Sequence, residues 1–286
     1  MSLAHLLCDN AATKLVDDNR GWTMSRAFPW SSFPNLQDIV FGFAHISVTL
    51  LSNNSNIKHM SFADEFTCNN NLTLLSNTAL EGEFVCPISG TYTTSGNTLL
   101  DNIGSIDKVR FPKLKGMNVT YGTYDGVIKN CSNLKEVYAD QVQFCETQDN
   151  NHKHLVIGCT ALEKIVLGTF TSPLYDWKVL SIQYDSYPNL IHFEIGEGTA
   201  VNINLSYWNP TDKGTAFLEN FLHHIAERLA VGPTTNRLTL TLSADVYSAC
   251  GFGATIDDPT DIRYQIKKAI QDRNWKVTDG TNNFNQ

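Results

Sequence analysis

Charge is what this sequence has least of. Lys and Arg number 21 and Asp and Glu 29 among 286 residues, so charged side chains make up 17% of the chain, well under the ~25% usual for soluble domains. No run of Lys or Arg occurs, and the net charge is −8. A surface of that sign repels phosphate backbones, so nucleic acid is not expected as a partner. Long hydrophobic runs are missing too. The longest, Phe41–Leu51, contains His45 and falls well short of the ~20 residues that cross a bilayer, so no membrane span is expected. The opening MSLAHLLCDN has no basic segment leading into an apolar one, so no secretory signal is expected within this chain.

Catalytic and metal-binding motifs are equally scarce. A GxSxG elbow, a P-loop and a dinucleotide fingerprint are all absent. The seven cysteines (Cys8, Cys68, Cys86, Cys131, Cys145, Cys159 and Cys250) form no CxxC pair. A chain of this length needs no covalent staples, so buried free thiols are expected rather than a disulfide framework. His152 and His154 lie two apart, and His223 and His224 are adjacent. Metal-binding histidines on a helix sit about three or four apart, so neither pair fits. Asp257 and Asp258 precede a helix, where capping explains at least one of them. No pair of carboxylates repeats at equivalent positions, as glycoside hydrolysis on a repeat scaffold would require. No enzyme activity, cofactor or metal is expected.

What the sequence does contain is a repeat. CSNLKEVYAD from Cys131, CTALEKIVLG from Cys159 and YPNLIHFEIG from Tyr187 read alike, and their anchors Leu134, Leu162 and Leu190 recur every 28 residues. One step earlier lies Ile106 in IGSIDKVRFP. A fixed period in this range marks a solenoid, whose units bury their apolar faces only by stacking. Within each unit the apolar positions are Ile106, Val109, Phe111; Leu134, Val137, Ala139; Leu162, Ile165, Leu167; and Leu190, Phe193, Ile195. This L-x-x-L-x-L spacing is the strand-bearing signature of leucine-rich repeats. The last two positions alternate, so they share one face of a short strand. An earlier unit is visible at Leu36, Ile39 and Phe41, and Leu72 is the candidate anchor for one further unit in the gap. The Gly/Ser/Thr/Asn-rich stretch 76–103 is expected to hold an extra loop or hairpin. The segments GVIKN, HLVIG and VLSIQ before the anchors are expected to form helical turns or short strands.

Beyond residue 210 the pattern changes. Thr215–Val231 carries Phe217, Leu218, Phe221, Leu222, Ile225 and Leu229 on one helical face, ended by Gly232-Pro233. Arg237–Leu242 alternates as a strand, Asp258-Pro259 opens a helix running to about Asp272, and Asn274–Val277 reads as a last strand. The expected organisation is a single α/β solenoid over 1–277: an N-terminal cap over 1–30, repeats over 31–210 and a helical cap over 211–277. The Asn-rich tail 278–286 is expected to be disordered.

With KNCSNLKEV, IGCTALEKI, SYPNLIHFEI and the closing helix–RLTLTL–helix–NWKV in view, the chain resembles the BspA-type leucine-rich repeat family. The resemblance is clear over about 100–200 and weaker over 30–75 and 215–277. It implies a right-handed leucine-rich repeat superhelix with short parallel strands. It also implies a cell-surface or secreted adhesion or interaction role without catalysis, on a chain whose leader has been removed. A carbohydrate-active enzyme on a β-solenoid, or a spacer within a larger surface or phage-tail protein, is the alternative.

Stacked strands place equivalent residues in rows ~4.8 Å apart. Two outward rows, Asp107–Lys135–Glu163–Ile191 and Lys108–Glu136–Lys164–His192, alternate in sign, as register-fixing charge ladders do. A third row, Arg110, Tyr138, Val166 and Glu194, is the candidate ligand surface, because outward strand faces are what such scaffolds display. Loop aromatics Tyr175 and Trp177, with Tyr184, Tyr187, Tyr207 and Trp208 nearby, are candidates for stacking on a sugar or anchoring a protein. The expected partner is a protein or a glycan, bound by a monomer.

Overall fold

The computed structural model describes residues 13–16, 23–24, 30, 33–42, 45–54, 56–62, 65–69, 72–94, 98–119, 127–146, 156–170 and 187–285. They form a parallel-strand β-solenoid with few helices. Strands stack on three sides. The side we call the front stacks Lys14–Val16, Asp38–Phe41 and His59–Phe62. It continues through the second halves of Leu75–Val85 and Leu100–Arg110, then Glu136–Ala139, Lys164–Leu167 and His192–Glu194, all parallel. A backbone hydrogen bond from Glu81 N to Lys58 O, 2.8 Å, links the two groups. The flank stacks Thr23–Met24, His45–Ile46 and Thr67–Cys68, then Gly90–Thr94, Leu114–Val119 and Gln143–Glu146. The back stacks Leu51–Asn54, the first halves of the two long strands, Ile128–Lys129 and Val156–Ile157.

Each side contributes a file of apolar residues to one interior. On the back, Leu51, Leu75, Leu100, Ile128 and Val156 are register partners in succession, and all are buried. On the flank, Tyr92, Met117 and Phe144 do the same. The Phe144 ring stacks on Phe170 at 4.7 Å. On the front the file is Phe84, Val109, Val137, Ile165 and Phe193. Burying each such side chain contributes ~1.5–3 kcal/mol, and no single turn can bury its own.

The expected 28-residue step holds from Ile106 through Leu134, Leu162 and Leu190, all buried. The gap before Ile106 is a correction. It holds two further turns rather than one, anchored at Ile57 and Leu80, so the steps from Leu36 are 21, 23 and 26 residues. The ladder Lys58 N to Gln37 O and Glu81 N to Lys58 O fixes the first two of these steps, and a bulged register joins the third, with Phe84 paired to Val109. Leu72 is not an anchor; it is a partly buried residue ahead of Leu75–Val85. Early turns are shorter because their corners carry less chain. The stretch 76–103 is likewise not a hairpin, since its long strands pair in parallel.

One corner joins back to front, and it explains how one strand can serve both. Asn53, Asn77, Asn102 and Asn130 hold φ of 49°, 51°, 52° and 55°, and Gly158 takes the next place at 68°. Asparagine and glycine tolerate this left-handed region, which turns the chain without ending it. The amides are also linked across turns: Asn77 Nδ2 donates to Asn53 Oδ1 at 3.0 Å, and Asn102 Nδ2 donates to Asn77 Oδ1 at 2.6 Å.

Past His192–Glu194 a separate parallel stack forms from Ile203–Leu205, Thr239–Leu242 and Lys276–Thr278. Helices now occupy the connections: α1 (Thr215–Arg228), α2 (Ala244–Ala249) and α3 (Ile262–Asp272). α1 packs on the last front strand through Phe221 and Phe193, 5.5 Å between centroids. α3 adjoins α1, with Arg263 Nε 3.6 Å from Glu219 Oε1. Three details differ from expectation. α3 starts at Ile262, because Asp258 closes a local turn on Thr260 (2.9 Å to its N) and Asp261 supplies the cap. α2, capped by Ser243, was not anticipated. The tail is not disordered as expected. Asn283–Phe284 pairs antiparallel with Lys276–Thr278, Asp279 caps the connecting turn through Thr281 N and Asn282 N, and Phe284 packs on Phe252 at 5.4 Å. Among the described residues, no helix is long and apolar enough to cross a membrane.

Candidate functional site

Alternation along each front strand sends every second side chain outward, and parallel pairing aligns those side chains across turns. The candidate row forms as expected: Arg110, Tyr138, Val166 and Glu194 are register partners in sequence, and Val85 extends the row by one turn. Arg110 and Val85 are exposed, and Tyr138, Val166 and Glu194 are half-buried by their neighbours. Beside it runs Glu83, Lys108, Glu136, Lys164 and His192, again in continuous register. Glu83 is an extra member that the 28-residue period did not reveal.

The charges in these rows pair across turns. Lys108 Nζ lies 3.0 Å from Glu136 Oε2, and Lys135 Nζ lies 3.4 Å from Glu163 Oε1. Lys58 and Glu81 repeat the second arrangement at 2.7 Å, and Arg110 reaches diagonally to Glu83 at 3.6 Å. The Lys108 hydrogen bond, aided by the Tyr138 hydroxyl, holds the Glu136 carboxyl below the usual range, and Glu136 in turn raises Lys108. Tyr138 sits at the centre. Its hydroxyl donates to Glu136 Oε2 at 3.0 Å, and the ammonium groups of Lys164 and Lys108 lie 5.2 and 5.9 Å from its ring centroid. An aromatic ring set between cations and tethered by a hydroxyl is a pre-organised contact for an incoming surface.

The aromatic candidates divide differently. Tyr175 and Trp177, with Tyr184, lie outside the described residues. Tyr187 is buried and its hydroxyl donates to Val156 O, so it fills the place that Cys131 and Cys159 take in the preceding turns. Trp208 is buried, stacked on Phe221 at 4.1 Å, and Tyr207 is open to solvent.

Cys68, Cys86, Cys131, Cys159 and Cys250 are free thiols. Burial pushes Cys86 and Cys250 up to about 12 and Cys68 to about 11, so none of these three is a ready nucleophile near neutral pH. Among the described residues no three His, Cys, Asp or Glu side chains gather as a metal site would require. His152 and His154 lie outside the described residues, and His223 faces Glu227 one helical turn on, at 3.8 Å.

One concavity was not foreseen from the sequence. A cleft of about 500 Å³ opens at the corner between front and flank, beside Val85, with Met60, Phe62, Pro87 and Pro112 in its walls. Its residues come from three different turns, so no local motif announces it. No family model, curated protein or solved structure matches the chain.

Proposed function

We propose that the chain is a non-enzymatic interaction module: a right-handed leucine-rich repeat solenoid of the BspA type, with a helical C-terminal cap, displayed outside the cell as a monomer. Its front face binds a protein partner. The observation that carries this reading is the continuous row Arg110, Tyr138, Val166 and Glu194. It offers one guanidinium, one ring held between two cations, one aliphatic contact and one carboxylate. Arg and Tyr are enriched at protein interfaces. The flanking charge ladder adds pattern, which favours specificity over bulk affinity. Three helices lying beyond the last front strand support the cap reading, since a solenoid must cover the open end of its core.

The test is binding of the wild type and an Arg110→Glu/Tyr138→Ala variant to a protein array and a glycan array. We expect retention by proteins, weakened about tenfold or more in the variant, the scale of hot-spot loss. Retention on glycans alone, or a variant that binds as the wild type does, overturns the proposal.

A further inference from the structure

The cleft beside Val85 has a polarity of its own. Met60, Phe62, Val85, Cys86, Pro87 and Pro112 supply apolar wall, and Ser61 and Glu83 supply polar wall. Glu65 and Lys113 also border it, both exposed. They follow front strands two turns apart, with Pro87 on the turn between. Neither Glu65 nor Lys113 has an ion-pair partner among the described residues, whereas the neighbouring Glu83 is answered by Arg110 at 3.6 Å. A trough with apolar wall thus runs between a carboxylate and an ammonium that are unpaired among the described residues. Its size, about 500 Å³, falls in the range that seats one large side chain with some backbone.

We propose that this cleft takes an extended peptide segment of a protein partner. An apolar side chain of that segment sits on Met60, Phe62 and Val85, with a basic residue toward Glu65 and an acidic residue toward Lys113. This deepens the protein-binding reading of the front face and rests on it. Spacing sets the register. Two turns of stacked strands span ~10 Å, and an extended chain advances ~3.3 Å per residue, so the two charged residues stand about three positions apart.

The experiment uses the full chain with labelled Met and Val methyl groups, titrated by NMR with the peptide acetyl-Ser-Lys-Ala-Leu-Asp-Ser-amide. A second peptide has Lys and Asp exchanged, and a third has Ser for Leu. The expected result is shifts at Met60 and Val85 with dissociation near ~1 mM, weakened about fivefold by the exchange, the effect of two exposed ion pairs. In a Glu65→Lys/Lys113→Glu protein, whose altered positions are at the surface, the preference between the first two peptides should invert. Silent Met60 and Val85 methyls, equal binding of the first two peptides, or equal binding of the Ser peptide each overturn the proposal. So does a concentration-dependent dimer that the charge exchange abolishes, which would make the occupant a second copy. If the exchanged protein keeps the array partner that Arg110→Glu/Tyr138→Ala loses, the cleft proposal fails while the front-face reading stands. Methyl shifts as expected, with no array partner at all, have the opposite meaning.

Discussion

Replacing Asn77 separates two contributions that the back-to-front corner combines. Asn77 holds φ at 51°, where a residue with a Cβ and no polar tip is disfavoured by ~1–2 kcal/mol. Its side chain also joins two neighbours, donating to Asn53 Oδ1 at 3.0 Å and accepting from Asn102 Nδ2 at 2.6 Å. Both bonds are exposed, so each contributes ~0.5 kcal/mol, the low end of the usual range. Asn77→Ala forfeits both contributions and should destabilise the fold by about 2 kcal/mol. Asn77→Gly forfeits only the amide bonds, since glycine enters the left-handed region freely, and should lose about 1 kcal/mol. Urea unfolding followed by circular dichroism reads the midpoints, with the slope as a check that the denatured state is unchanged. The expected order of stability is wild type, then Gly, then Ala. Equal midpoints for wild type and Ala would refute the ladder, and a Gly variant weaker than Ala would refute the backbone half of the argument.

Three further outcomes follow from the same geometry. A Cβ on Gly168 would lie 2.0 Å from Val142 O, so Gly168→Ala should cost ~3 kcal/mol or more. Gly253→Ala, with nothing within 4 Å, should be nearly neutral, and matching melts for the two would contradict the stacking at that corner. Leu162 is fully buried, so Leu162→Asp places an unpaired charge between turns and should lower the thermal midpoint of the whole array in one transition; an unshifted melt would show that the anchor is misplaced. Glu136 has a folded pKa below its ordinary value because Lys108 hydrogen-bonds it. The pair's contribution is therefore present above the unfolded value near ~4.3 and is lost as pH falls through the folded one. An NMR titration should find the Glu136 midpoint below that of an exposed glutamate and moved up by Lys108→Met; a midpoint indifferent to that substitution would refute the pairing.

The later turns were legible because each totals 28 residues, so equivalent residues recur at one interval. The early turns were not, because steps of 21, 23 and 26 residues hide from any fixed period. A second signal was nevertheless present: Leu51-Ser-Asn53, Leu75-Ser-Asn77, Leu100-Asp-Asn102, Ile128-Lys-Asn130 and Val156-Ile-Gly158. An apolar residue followed two places on by Asn or Gly marks every described back strand and its left-handed corner. Reading it corrects the stretch 76–103 directly. The tail misled because Asn and Thr richness resembles disorder, while its order rests on one capping carboxylate, Asp279, and one distant ring contact, Phe252 with Phe284. At the candidate site, the rows through Arg110 and Lys108 were readable because a period maps residues onto one face. The cleft was not, because Met60, Val85 and Pro112 meet only through the stacking of separate turns.

The measurement closest to the centre of this account is a set of distances between paired spin labels on the front face. Val85, Arg110, Tyr138, Val166 and Glu194 are successive register partners, so backbone separations from Val85 should grow by ~4.8 Å per step, to ~19 Å at Glu194. A linear increase is the predicted result. Separations that jump irregularly, or that fail to rise with each step, would contradict it.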